Sequence, residues 1–142
     1  MWNKEKAIEH LMLHAETHSQ KKCAKYTREA IEAGGLILIR PNSNSAKDYK
    51  NSLIATGFLP LGVDSGKYLP GDVVIINSFT DGAEEHPHGH IAMFDGNNWV
   101  SDFSQQELYP GPAYRKCRPK YMIYRYGIQW DSAESPLSSN IA

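Results

Sequence analysis

Gly89-His90-Ile91-Ala92-Met93-Phe94-Asp95-Gly96-Asn97-Asn98-Trp99-Val100-Ser101-Asp102-Phe103 reads as a β-hairpin. Two apolar runs flank Asp95-Gly96-Asn97-Asn98, a turn of the composition that hairpins favour. Alternation puts His90, Ala92 and Phe94 on one face and Ile91 and Met93 on the other. Upstream, Pro70-Gly71-Asp72 makes a turn into Val73-Val74-Ile75-Ile76, which is apolar on both faces as a central strand is. The segment from Asn77 to Pro87 reads as a polar loop, and residues 120–126 as a last strand.

The chain ahead of these strands is helical in texture. Ala7, Ile8, Leu11, Met12 and Ala15 recur with a period near 3.6, with Asn3 as N-cap. A second helix fits residues 20–33, capped by Ser19, with Cys23, Tyr26, Thr27, Ala30 and Ile31 on its apolar face and Gly34-Gly35 as its end. After the short apolar segment Leu36–Ile39, a third helix of about ten residues carries Ala46, Tyr49 and Leu53 on one side. Helices first and a strand meander afterwards predict an α+β fold, with N-terminal helices packed on an antiparallel β-sheet. Residues 1–130 read as a single catalytic domain and 131–142, which are Ser-rich, as a flexible tail.

Composition narrows the function. The 142 residues carry 15 Lys+Arg against 16 Asp+Glu, so there is no basic footprint for nucleic acid. No apolar run is long enough to span a membrane, and two cysteines do not make a disulfide scaffold. Met1–Lys6 leads into an amphipathic stretch rather than the apolar core of a signal peptide. Work outside the cytoplasm would therefore need a route other than a cleavable signal.

Three residues carry the chemistry. Cys23 falls at the start of the second helix beside Lys21, Lys22 and Lys25, surroundings that favour a thiolate. Alone it reads more simply as a small buried packing residue. His90 opens a largely apolar strand, where an imidazole needs a polar partner, and Gly89 beside it marks a close backbone approach. Asp102, on the return strand, comes back toward the level of His90 and is expected to orient its ring.

Lys22-Cys23-Ala24, Pro70-Gly71-Asp72-Val73-Val74 and Gly89-His90-Ile91-Ala92-Met93-Phe94-Asp95-Gly96-Asn97-Asn98, taken in order, resemble the papain-like NlpC-type and CHAP cysteine amidases of bacterial cell walls. Asp102 stands twelve positions after His90, where the NlpC-type pattern has its third polar residue. Two departures are plain: Lys22-Cys23-Ala24 replaces an Asp/Asn-Cys-Ser pattern, and the third residue is Asp rather than His, Asn or Gln. The resemblance implies a papain-like fold and a cysteine hydrolase cutting amide bonds in peptidoglycan stem peptides, with catalytic Cys23, His90 and Asp102 and no cofactor. It further implies an oxyanion hole of the Cys23 amide plus a second donor, for which Gln20 is the candidate. Trp99 and Tyr109 are candidates to line the substrate groove, with Tyr114 and Trp130 beside them.

A lone catalytic domain of this kind resembles type VI secretion amidase effectors, made in the bacterial cytoplasm and acting in the periplasm of a target cell. Such proteins imply a cognate periplasmic immunity protein. A phage-type lysis enzyme and a papain-like acyltransferase stay open. So does a non-catalytic metal-binding module using His86, His88 and His90, although Pro87 interrupts that alternation.

Overall fold

The computed structural model describes residues 1–62 and 66–127. The expected tail 131–142 and Trp130 lie outside the described residues. The first helix, α1 (Lys4–His14), is capped as the sequence implies, Asn3 Oδ1 accepting the Lys6 amide at 3.0 Å. The second, α2, runs Cys23–Ala33, three residues shorter at its start than the spacing suggested. Ser19 is not its cap, since Ser19 Oγ binds the Lys21 amide at 3.2 Å within the loop ahead of it. The third helical segment is split into a 3₁₀ turn, Ala46–Asp48, and α3 (Lys50–Thr56).

Among the described residues seven strands follow: β1 (Phe58–Pro60), β2 (Val73–Ile76), β3 (Phe79–Asp81), β4 (Glu84–His86), β5 (His90–Phe94), β6 (Trp99–Val100) and β7 (Tyr121–Tyr126). The main sheet has the order β1-β7-β2-β5-β6 with every pair antiparallel. The antiparallel α+β architecture predicted from the sequence is present. The segment read as a polar loop contains β3 and β4, which pair as a separate hairpin through Phe79 and His86. Its short, charged strands carry too little apolar alternation to be distinguished from a solvated loop. A further helix, α4 (Pro112–Cys117), precedes the last strand, with Pro112 at the first helical turn, where a missing N–H costs nothing.

The sheet is buried on both sides. Val73, Ile75, Ile91, Met93 and Tyr124 meet Ala7, Leu11, Ala30, Ile31 and Leu53 from the helices. Val74, Ile76, Ala92 and Ile123 meet Trp99, Tyr109 and neighbouring aromatic rings on the other face. Helix α2 packs on β5, and Cys23, the first residue of that helix, reaches the backbone of Ile91 on that strand. Gly89, at φ +66°, turns the chain into β5, and a side chain there would collide with the Ile76 carbonyl oxygen.

One ion pair ties the sheet together. Asp72, fully buried just before β2, receives both Nε and Nη2 of Arg125 on β7 at 2.9 Å each, and its Oδ2 also accepts the Leu69 amide at 2.9 Å. Removing one member of such a pair leaves a desolvated charge without its main partner, a cost of roughly 3–5 kcal/mol. Asp72→Ala is therefore expected to lower unfolding stability by that order. Urea denaturation checks it, and a midpoint unchanged from wild type would contradict the role assigned to the pair.

Candidate active site

Cys23 is the first residue of α2, and its thiol is half-buried where the helix meets β5. Burial is the largest influence on the thiol and raises its pKa to about 11. The Ile91 amide, together with those of Ala24 and Cys23, pulls the other way, while the charge of Asp102 adds to the rise. At neutral pH the sulfur is therefore a thiol, and a base must take its proton before it attacks.

His90 supplies a base of the right kind. Its ring is 7% exposed, and burial holds its pKa below the ordinary histidine value, against the opposing effects of Gln105 and Asp102. His90 Nε2 lies 2.8 Å from Gln105 Oε1. The other end of the Gln105 amide is fixed, because Nε2 donates to the Glu107 and Leu108 carbonyls at 2.9 and 3.1 Å. The atom facing the imidazole is thus an acceptor, so His90 Nε2 carries the hydrogen and Nδ1 is the basic nitrogen.

The expected bond between Asp102 and the imidazole is not formed; Gln105 makes it. The reason lies in the length of β6. It pairs only as Trp99 with Phe94 and Val100 with Met93, and the chain then turns back, Ser101 N–H to the Phe103 carbonyl at 3.0 Å and Gln105 N–H to the Trp99 carbonyl at 2.8 Å. Asp102 sits in that turn rather than on a continued strand, and the turn carries Gln105 to the ring. The fully buried Asp102 instead clamps the loop before the cysteine. Its Oδ2 accepts the amides of Gln20 at 2.6 Å and Lys22 at 3.0 Å, and its Oδ1 accepts the Ser101 hydroxyl at 3.1 Å. Lys21 between those two amides has φ +58°, so the carboxyl group holds a strained backbone immediately ahead of Cys23.

The remaining candidates fall elsewhere. Gln20 is exposed, and its side-chain amide donates to the His18 carbonyl at 2.9 Å, a role in the loop rather than at the sulfur. Trp99 and Tyr109 do not line a groove. Both are core residues at 3% and 5% exposure, Trp99 packed on Tyr68 and Phe94 and Tyr109 donating its hydroxyl to the Pro119 carbonyl. Aromatic side chains in a small β region were needed to close the second face of the sheet.

The three alternating histidines diverge. His86 stacks on Phe79 with ring centres 4.4 Å apart, His88 Nδ1 bonds Ser45 Oγ at 2.7 Å, and His90 faces Gln105. The chain leaves β4 at His86 and enters β5 at His90, so no single strand aligns them. Among the described residues no group of three or more His, Cys, Asp or Glu side chains is placed to hold a metal ion.

Residues 20–24, 89–91 and 101–105 thus build an α+β site of one half-buried thiol, one neutral imidazole and one amide orienter. No family model matches the chain, and no curated protein matches it. Solved structures do. The type VI native effector–immunity complex Tae3–Tai3 from Ralstonia pickettii contains a chain 42% identical to this one, with a TM-score of 0.75 over 88% of this chain and 99% of that one. The selenomethionine form of the same complex gives 44% identity and a TM-score of 0.74 over 84% and 99%. The chain belongs to the Tae3 family of type VI effectors.

The state of His90 has a consequence for stability. Its folded pKa lies below the ordinary 6.5, so below that pH the unfolded chain binds the proton and the folded chain resists it. Stability is expected to fall as pH drops through 6.5, and His90→Asn is expected to remove that part of the decline. Urea unfolding of both proteins on either side of that pH measures the difference; identical slopes would show that His90 titrates normally.

Proposed function

We propose that this chain is a cysteine-dependent peptidoglycan amidase or endopeptidase that hydrolyses an amide of bacterial stem peptides. It acts as an antibacterial effector in the periplasm of a target cell and is neutralised in the producer by a cognate immunity protein. The arrangement that supports this chemistry is Cys23 at the head of α2, its thiol reaching the backbone of Ile91, while His90, which precedes Ile91 in the chain, carries a buried imidazole whose pKa is held down by burial. The immunity partner rests on family membership, since the related solved structures are effector–immunity complexes. We read the arrangement, a cysteine-bearing helix against an antiparallel sheet that carries the histidine, as the papain-like plan of NlpC-type and CHAP enzymes.

In this mechanism His90 Nδ1 takes the Cys23 proton as the sulfur attacks the scissile carbonyl. The tetrahedral oxyanion is stabilised by the Cys23 amide at the helix start, where the partial positive charge of the helix end adds to the hydrogen bond. The imidazolium returns its proton to the departing amine, and a water activated by His90 hydrolyses the thioester. Gln105 accepts from Nε2 throughout and so keeps Nδ1 turned to its task. Asp102 contributes its charge to the transient imidazolium through space and holds the cysteine loop.

Digestion of purified sacculi with mass analysis of the fragments tests this directly. Wild type is expected to release stem-peptide fragments with a new amine and a new carboxylate at one amide. Cys23→Ala and His90→Ala should each lower turnover by more than about a thousandfold with the fold retained, and Gln105→Ala by less than either. Full release of fragments by Cys23→Ala would overturn the cysteine mechanism.

A further inference from the structure

Tyr114 stands over the site from an element that the thiol–imidazole chemistry does not itself require. It lies on α4, which is fastened to the β3–β4 hairpin by Lys116 Nζ to Asp81 Oδ1 at 2.9 Å and by the Tyr114 ring edge-on to Phe79 at 4.7 Å. The same ring meets His86 at 5.7 Å and His90 at 5.9 Å, each at a steep interplanar angle. Its hydroxyl donates to the Gly89 carbonyl at 3.1 Å, the peptide group that immediately precedes His90 and turns at φ +66°. One side chain thus touches both the ring of His90 and the backbone that aims it.

We propose that Tyr114 is a positioning residue for His90: its ring covers the imidazole and excludes water from the His90–Gln105 bond, while its hydroxyl fixes the Gly89 turn. The proposal rests on the thiol–imidazole reading of the site. Burial raises the Tyr114 hydroxyl to a pKa of about 12, with a smaller contribution from the nearby Cys23, so it is a neutral donor at any working pH. The groups acting on the imidazole are Asp102 and Gln105 from the turn after β6 and Tyr114 from α4, with His86 from β4 against the Tyr114 ring and Cys23 from α2 near its hydroxyl. Removing the ring exposes the imidazole to solvent and relieves the burial that depresses its proton affinity.

The rate of Cys23 alkylation by iodoacetamide, followed from acid to neutral pH, reads this without any substrate. Tyr114→Leu is expected to move the midpoint of the acid limb upward toward the ordinary histidine value. On sacculi it should cost about ten- to a hundredfold in turnover, part of what a positioned general base contributes. Tyr114→Phe, which keeps the ring, should recover the wild-type midpoint and most of the rate. Tyr114→Met, whose flexible unbranched chain adapts to the space, serves as a second variant if the leucine protein does not fold. A midpoint unchanged in the leucine and methionine variants overturns the proposal, as does a phenylalanine variant whose midpoint moves as far as that of leucine although it keeps the ring. A wild-type alkylation profile unaltered by His90→Ala would instead overturn the thiol–imidazole reading, so the two failures are distinguishable.

Discussion

The hydrogen bond between His90 and Gln105 is the constraint on which the site depends. An imidazole has two nitrogens, and the amide oxygen of Gln105, itself oriented by two backbone carbonyls, decides which one carries the hydrogen and which is left basic. Because the pair is buried and neutral, the ring waits unprotonated and the thiol waits protonated. In the mechanism proposed above, proton transfer then waits for substrate rather than starting from a preformed ion pair.

Two buried carboxyl groups perform comparable work at different distances from the chemistry. Asp72 joins the start of β2 to β7 through a bidentate arginine. Asp102 joins the turn after β6 to the loop before α2 through backbone amides, and the neighbouring Glu16 amide donates to the Asp102 carbonyl at 2.7 Å. The same five-residue turn thus places the orienter of the histidine and the clamp of the cysteine loop. A shift in that turn moves both halves of the site at once, which couples the placement of His90 and Cys23 to one short piece of chain.

Much of the fold was legible in the residues. The two-sided apolar run of Val73–Ile76, the hairpin turn at Asp95–Asn98 and the 3.6-residue spacing of the first helices each express a strong local pattern, and each element is present. The elements that escaped have weak patterns: the charged β3–β4 hairpin and the six-residue α4. In the site, Cys23 and His90 drew attention because a cysteine at a helix start and an imidazole opening an apolar strand are both unusual. Gln105 carried no such signal. It follows Ser104 in a polar run, and its burial at 3% exists only because β6 stops after two residues. Asp102 was expected to orient the imidazole, yet its partners are amides 80 and 82 positions away, which no local pattern announces. Trp99 and Tyr109 misled because rings that close a sheet face and rings that line a groove look alike in a sequence.

The most direct measurement of the central claim is the nitrogen-15 spectrum of the His90 ring in the folded protein at neutral pH. Expected is a neutral ring with its hydrogen on Nε2 and a bare Nδ1, shifting only when the pH falls below the usual histidine range. A ring carrying its hydrogen on Nδ1, or one doubly protonated at neutral pH, would contradict the account, because the nitrogen assigned to receive the thiol proton would already hold one.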